Sequence, residues 1–153
     1  MSKVKLDRIL VATDGSPESL EAARYAAVLA RGVKPKVTVV HVIPNPSVPQ
    51  GTSSMRPEDE VIVEKILWDG AQGILDRTMQ PFRDAGLRVE GLVTSGDPAE
   101  QLILLAGRED FDLIVVASRG EGGAERAILG STSAAVVREA PCPVLVVRKG
   151  TVG

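Results

Sequence analysis

The chain has 153 residues, a length typical of one domain with a substantial core. A formal net charge of −2 and an aromatic content of 3 % argue against a basic nucleic-acid surface and against base stacking. The single cysteine, Cys142, excludes an intramolecular disulfide, and no run approaches the roughly 18 apolar residues of a membrane helix. We therefore expect a cytoplasmic protein that binds neither nucleic acid nor membrane.

Apolar strand patterns alternate with helical patterns along the whole chain. Strands are predicted at residues 8–13, 36–43, 87–94, 112–117 and 143–148. Helices are predicted at residues 17–31, 58–80, 98–107 and 131–139. This strict alternation predicts that residues 1–153 form a single α/β domain with a doubly wound, Rossmann-like parallel sheet and helices on both faces.

Two helices carry clear start signals. Ser16 precedes Pro17, and Asp97 precedes Pro98, so each pair combines an N-cap side chain with a proline in the first turn. Gly32 is expected to end the first helix.

The second helix is predicted to be the longest. Its apolar residues are expected to contact the core; they are Val63, Ile66, Leu67, Ile74 and Leu75. Pro81 lacks a backbone N–H and is expected to kink or end this helix. Before it, residues 44–57 contain four prolines, which predicts a flexible proline-rich loop that is either a connector or a functional lid.

The fourth strand leads into a glycine-rich loop, residues 118–123, and then into a helix. Gly130 precedes three hydroxyl residues, Ser131, Thr132 and Ser133, which are expected to cap that helix. A helix N-terminus with free N–H groups and hydroxyls binds anions, so the segment predicts a phosphate site. By spacing alone, a surface turn without a ligand explains the glycines equally well.

The loop resembles a known motif. Gly120, nine further residues, and then Gly130 and Ser131 resemble the ATP-binding motif G-x2-G-x9-G-[S/T] of the universal stress protein family, with Ala117 in place of its first glycine. Residues 9–16, 39–43, 96–99 and 140–147 resemble other segments of that family in the same order. The resemblance implies a five-stranded sheet in the order 3-2-1-4-5, and a dimer.

With that order, the ligand is expected at the carboxyl ends of strands one and four, where the order reverses. Asp14 is expected to hold Mg²⁺ or Mn²⁺, or a ribose hydroxyl, although an aspartate before a glycine is also a common turn residue. The only histidine, His41, is interpreted as structural. The predicted nucleotide-binding residues are Ala12, Thr13, Asp14, Val42, Ala117, Arg119, Gly120, Gly130, Ser131, Thr132 and Ser133.

The resemblance implies an ATP-binding stress-response protein that acts as a sensor or regulatory module. A homodimer through residues 143–148 is expected, because an apolar strand at a sheet edge requires a partner or a cover. Two alternatives stay open. One is a dimeric interaction protein that does not bind nucleotide, which Ala117 would favour. The other is a slow ATPase or an autophosphorylating protein, for which Asp14 is the only motif acid and no catalytic residue is assigned.

Overall fold

Five strands and four helices alternate in the part of the chain that the computed structural model describes, residues 4–44, 56–119 and 129–148. The strands are β1 (Arg8–Ala12), β2 (Lys36–Ile43), β3 (Val89–Ser95), β4 (Leu113–Ala117) and β5 (Val144–Val147). The helices are α1 (Pro17–Ala30), α2 (Pro57–Asp84), α3 (Pro98–Arg108) and α4 (Ser131–Glu139). The predicted element order is confirmed. The predicted loop 44–57 falls largely outside the described residues, since only Pro44, Arg56 and Pro57 belong to them.

The strands form one parallel sheet in the order β3-β2-β1-β4-β5, which confirms the predicted order. At the centre of the sheet, Val11 of β1 pairs with Val39 of β2 on one side and with Val115 of β4 on the other. The chain therefore leaves β1 in opposite directions toward β2 and β4. A crevice opens at the carboxyl end of such a reversal.

The core has two layers because successive strand residues point to opposite faces of the sheet. Ile9 and Val11 face the layer formed with α1 and α2, whereas Leu10 faces the layer formed with α3 and α4. Helix α1 presents alanines to the sheet, including Ala23 and Ala27, which allows it to lie close to the strands. Both faces of the central strands are thus covered, as expected of a parallel sheet.

Pro81 was predicted to kink or end α2, and the prediction that it ends the helix is wrong, because the helix continues to Asp84. Proline in a helix interior costs about 3 kcal/mol. Here it lies in the last turn, and the next residue, Phe82, is fully buried in the core. Burial of a phenylalanine contributes about 1.5–3 kcal/mol, which offsets most of that cost. Beyond the helix end, Leu87 donates its backbone N–H to the Phe82 carbonyl at 3.0 Å.

The first half of α2 also differs from the prediction. Val63, Ile66 and Leu67 were expected to contact the core, but they are 40 %, 64 % and 44 % exposed. Every residue from Pro57 to Gly70 is exposed, and burial begins at Ala71. At 28 residues the helix is about 42 Å long, so its first half extends past the sheet. Although α2 is long, no helix in the described ranges combines the length and the apolar character needed to cross a membrane.

Cys142 lies at the edge of the layer formed by α3 and α4. Burial raises the pKa of its thiol, and the nearby carboxylate of Asp112 raises it further. Less thiolate is therefore present at neutral pH than for an ordinary cysteine, so the side chain acts as a small apolar group rather than a nucleophile.

Candidate functional site

A cavity of about 520 Å³ lies at the carboxyl ends of β1, β2 and β4, at the reversal of strand order. All of the predicted nucleotide-binding residues except Gly120 line this one cavity, and Gly120 lies outside the described residues. The cavity is also lined by Ser19, Val40, His41, Pro44, Pro98, Leu102 and Val116. Its volume lies within the range of about 300–1,000 Å³ typical of small-molecule sites.

The end of β1 is held firmly by Thr13. Its backbone N–H donates to the Val40 carbonyl at 2.9 Å, and its buried hydroxyl bonds the hydroxyl of Thr78 on α2 at 2.9 Å. The Thr13 carbonyl lies 2.9 Å from Nδ1 of His41. His41 therefore has a hydrogen-bond partner within the fold, in agreement with its interpretation as a structural residue. Together these hydrogen bonds fix the position of the strand end.

Asp14 is a turn residue that also lines the cavity. Its Oδ1 accepts hydrogen bonds from the Ser16 N–H at 2.9 Å and from the Ser19 hydroxyl at 2.6 Å, which is the pattern of an aspartate turn. The same side chain is exposed and lines the cavity. Ser16 in turn accepts from the Ser19 N–H at 3.1 Å and caps α1, as predicted. The turn therefore holds a negative charge at the cavity wall.

Gly15 is required by the turn that carries Asp14. Its φ of +84° lies in the left-handed region, and a Cβ there would lie 2.9 Å from Cγ1 of Ile74 on α2. Any larger residue would be strained and would collide with that side chain. The loop after β1 is therefore packed against α2.

The loop after β4 returns to the cavity at Gly130. The Gly130 N–H donates to the Ser118 carbonyl at 2.6 Å, and the hydroxyl of the buried Ser133 donates to the same carbonyl at 2.7 Å. The end of β4 is thus joined directly to the start of α4.

The prediction that a hydroxyl side chain caps α4 is wrong, because the N-cap is Gly130, which has no side chain, and Ser131 is already the first helical residue. The backbone at Gly130 has φ −71° and ψ 169°, a conformation open to any residue, so the turn itself does not require glycine. The first N–H groups of a helix lack partners within the helix. Because no side chain caps them at the N-cap and Gly130, Ser131 and Thr132 line the cavity, this helix end can receive an anion.

Apart from Val42, the residues of the apolar walls were not predicted from the sequence. Val40 and Val42 on β2, Val116 on β4 and Leu102 on α3 all belong to the α3–α4 layer of the core. The signal for the strand residues was available, because Val40 lies two positions from Val42 and hence on the same face of β2. Leu102 had no such signal, since only the packing of α3 places it there.

Ala117 and Arg119 flank the exit of β4. Ala117 is the last strand residue, is half-buried and lines the cavity. Arg119 is half-buried and lines it too. Among the described residues, no group of three or more His, Cys, Asp or Glu side chains could hold a metal ion. A divalent ion at this cavity would therefore need oxygen atoms of the ligand in addition to the carboxylate of Asp14.

Comparison with known proteins agrees with this fold. A model of the universal stress protein family matches residues 5–148. Universal stress protein MJ0531 of Methanocaldococcus jannaschii is 31 % identical over 142 residues, which cover 93 % of this chain and 82 % of that protein.

Two solved structures are also similar. The structure of the hypothetical protein MJ0577 has a TM-score of 0.82 at 24 % identity, covering 95 % of this chain and 98 % of that one, and it supports the fold. A universal stress protein solved in complex with cAMP has a TM-score of 0.69 at 26 % identity, covering 92 % of this chain and 96 % of that one. The family match and the M. jannaschii relative both extend over nearly the whole sequence, so this chain belongs to the universal stress protein family.

Proposed function

We propose that this protein binds ATP, with Mg²⁺ assisting, and acts as a regulatory or sensor module in a stress response. The observation that carries the proposal is that the N-terminus of α4, the Asp14 turn and the end of β2 meet in one cavity. A related protein of known structure holds cAMP, which contains the same adenine base.

The phosphates are assigned to the end of the cavity at α4. A helix N-terminus contributes about 0.3–1 kcal/mol to binding of an anion, and up to about 2 kcal/mol when partly buried. Micromolar affinity requires about 8 kcal/mol, so phosphate contacts alone are too weak. The aliphatic walls formed by Val42, Leu102 and Val116 supply the apolar surface on which an adenine ring would gain the rest.

Asp14 is assigned to the metal. Mg²⁺ in nucleotide sites typically uses one or two carboxylates and completes its shell with phosphate oxygens and water. One carboxylate at the cavity wall fits that requirement. We propose binding rather than turnover, because Asp14 is the only acidic side chain among the described residues that line the cavity.

Native mass spectrometry of the purified protein tests the proposal directly. We expect a mass increment equal to ATP, or to ATP with Mg²⁺, that disappears after unfolding and refolding in nucleotide-free buffer. Calorimetry of the stripped protein should then give a lower Kd for ATP than for GTP, because guanine carries more polar groups than adenine and the apolar walls would leave them without hydrogen-bond partners. Absence of binding at millimolar ATP would contradict the proposal.

The cytoplasmic location stays a prediction.

Ala117 is expected to weaken ATP binding without preventing it. As a strand residue it is extended, so alanine is conformationally allowed, but its methyl group lines the cavity. Removal of a methyl group from a tight wall relieves about 1 kcal/mol, so Ala117→Gly should bind ATP equally well or about fivefold more tightly in calorimetry.

A second candidate function rests on the same residue. If the wild type fails to bind ATP at millimolar concentration and Ala117→Gly restores binding, the methyl group of Ala117 prevents nucleotide binding in this protein. The protein would then act as a dimeric interaction protein.

We also propose a homodimer through β5. This strand is at the edge of the sheet and pairs only with β4 among the described strands, and its residues Val144, Leu145 and Val146 are partly exposed. Pairing with the same strand of a second copy would satisfy the edge and follow two-fold symmetry. Leu145→Lys should halve the mass of the assembly in light scattering, whereas Leu104→Lys, at a 47 % exposed position on α3, should leave it unchanged. Equal masses for the wild type and Leu145→Lys would refute the strand contact.

A further inference from the structure

An apolar stripe covers the projecting half of α2 and continues toward its centre. Its seam residues recur in alternating steps of four and three, the spacing of a helix–helix seam; they are Asp59, Val63, Ile66, Gly70, Gly73 and Arg77. Ile62 flanks this seam, and Ile62 and Ile66 are 56 % and 64 % exposed. We call these seven residues the α2 stripe.

The α2 stripe is separate from the face that α2 buries in its own core. That face carries Ala71, Leu75, Thr78, Met79 and Phe82. At about 100° per residue, the centre of the stripe lies more than a third of a turn from the centre of that face around the helix. The projecting half also exposes Val61, Leu67 and Trp68 outside the stripe. Exposed apolar side chains clustered in this way are typical of an interaction site.

Packing against the described residues does not explain the two glycines of the stripe. Glycine is the least favourable residue in a helix interior apart from proline. A Cβ at Gly70 would meet nothing within 4 Å, and a Cβ at Gly73 would meet only the Arg77 guanidinium of the same helix, at 3.7 Å. Packing against the described residues therefore requires glycine at neither position. The glycines instead leave gaps on the outer surface, into which side chains of a second helix can fit.

We propose that the occupant is the α2 stripe of a second copy of this chain, packed antiparallel about a two-fold axis at the level of residue 68. In that register each bulky residue meets a gap, since Val63 faces the partner's Gly73 and Ile66 faces the partner's Gly70. The stripe is therefore self-complementary, as an interface between identical copies requires.

The charges select the same register. Asp59 faces the partner's Arg77, and the symmetry creates this pair twice. Within the described residues, neither side chain makes an ion pair inside its own chain. A parallel arrangement would bring together two acidic first turns, each with Glu58, Asp59 and Glu60. The antiparallel arrangement keeps those ends roughly 27 Å apart and also opposes the two helix dipoles.

The α2 contact would join β5 dimers to one another, so it is tested by sedimentation equilibrium of the full chain carrying Leu145→Lys, which removes the β5 contact and should halve the mass of that larger assembly. We expect a dimer, and we expect Ile66→Glu to weaken its self-association at least about 100-fold, to a 16.1-kDa monomer. Val61→Glu is the matched control, because Val61 is 66 % exposed on the same turns of α2 but lies outside the stripe. The control should remain dimeric. The proposal would be overturned if the chain carrying Leu145→Lys alone were a monomer, or if the two glutamate variants had equal masses. The α2 stripe would then bind a different partner.

Charge reversal tests the register itself. Asp59→Arg and Arg77→Asp should each weaken the dimer about tenfold, whereas the double variant should restore it, because both ion pairs re-form with their signs exchanged. If the double variant is as weak as either single variant, the antiparallel register is wrong.

The glycines provide a second, independent readout. Gly70→Leu should raise the thermal stability of the monomer, because leucine favours the helix more than glycine does and the space around this position is open. The same change should abolish dimerisation, since it fills the gap required by the partner's Ile66. A variant that remains dimeric would contradict the proposed packing.

Discussion

Gly130→Val is expected to abolish ATP binding while the protein keeps its fold. Gly130 lines the cavity immediately before the first N–H groups of α4, so an isopropyl group there would occupy the space assigned to phosphate. The backbone at φ −71° and ψ 169° accepts valine without strain, so the helix should still form. Overpacking of about 1–3 kcal/mol together with loss of N–H contacts predicts a Kd at least about 100-fold higher.

Calorimetry with ATP and a thermal melt together check this expectation. The melt should shift little, which separates a blocked site from an unfolded one. Gly32→Val offers a matched control, because a Cβ at Gly32, just beyond α1, meets nothing within 4 Å. That variant should bind ATP as the wild type does. If Gly130→Val still binds ATP with wild-type affinity, the phosphates do not lie at the start of α4.

Asp14→Asn is expected to remove the dependence of ATP binding on Mg²⁺. Alanine would be a poor test, because Oδ1 of Asp14 accepts hydrogen bonds from Ser16 and Ser19 and its loss would also weaken the turn. Asparagine retains a side-chain oxygen for these two donors but carries no charge for a metal. We expect tight binding to be lost in Mg²⁺ or Mn²⁺, while binding measured in the presence of a chelator is nearly unchanged.

Titration calorimetry with and without the metal provides the measurement. Ser19→Ala serves as the control, since it removes the two hydrogen bonds between the Ser19 hydroxyl and Asp14 and leaves the charge in place. Its binding free energy should fall by no more than the worth of two hydrogen bonds, about 2 kcal/mol, and its response to Mg²⁺ should persist. A full Mg²⁺ response in Asp14→Asn would show that Asp14 is only a turn residue.

The two largest departures from the predicted structure both occur in α2, and both have a tertiary cause. Local rules for proline predicted a break at Pro81, but burial of Phe82 holds the last turn in place. Apolar spacing indicated that Ile66 and its neighbours face the core, but the sheet ends before it reaches them. Periodicity shows that a helix has an apolar face; only the arrangement of the other elements shows whether anything covers that face.

The alternation of strands and helices follows from the sequence alone, because buried parallel strands require continuous apolar runs such as residues 113–117, and because Ser16 and Asp97 mark helix starts by local hydrogen bonds. Most of the polar residues at the cavity could also be predicted, since polar loops follow the carboxyl ends of β1 and β4. Only the tertiary structure shows which other residues form the apolar walls of the cavity and where the outer surface of α2 has gaps. Leu102 reaches the cavity through the packing of α3, and the gap at Gly70 is visible only because no part of the described chain approaches it. Such contacts depend on distances between elements far apart in the chain, which no local pattern of residues records.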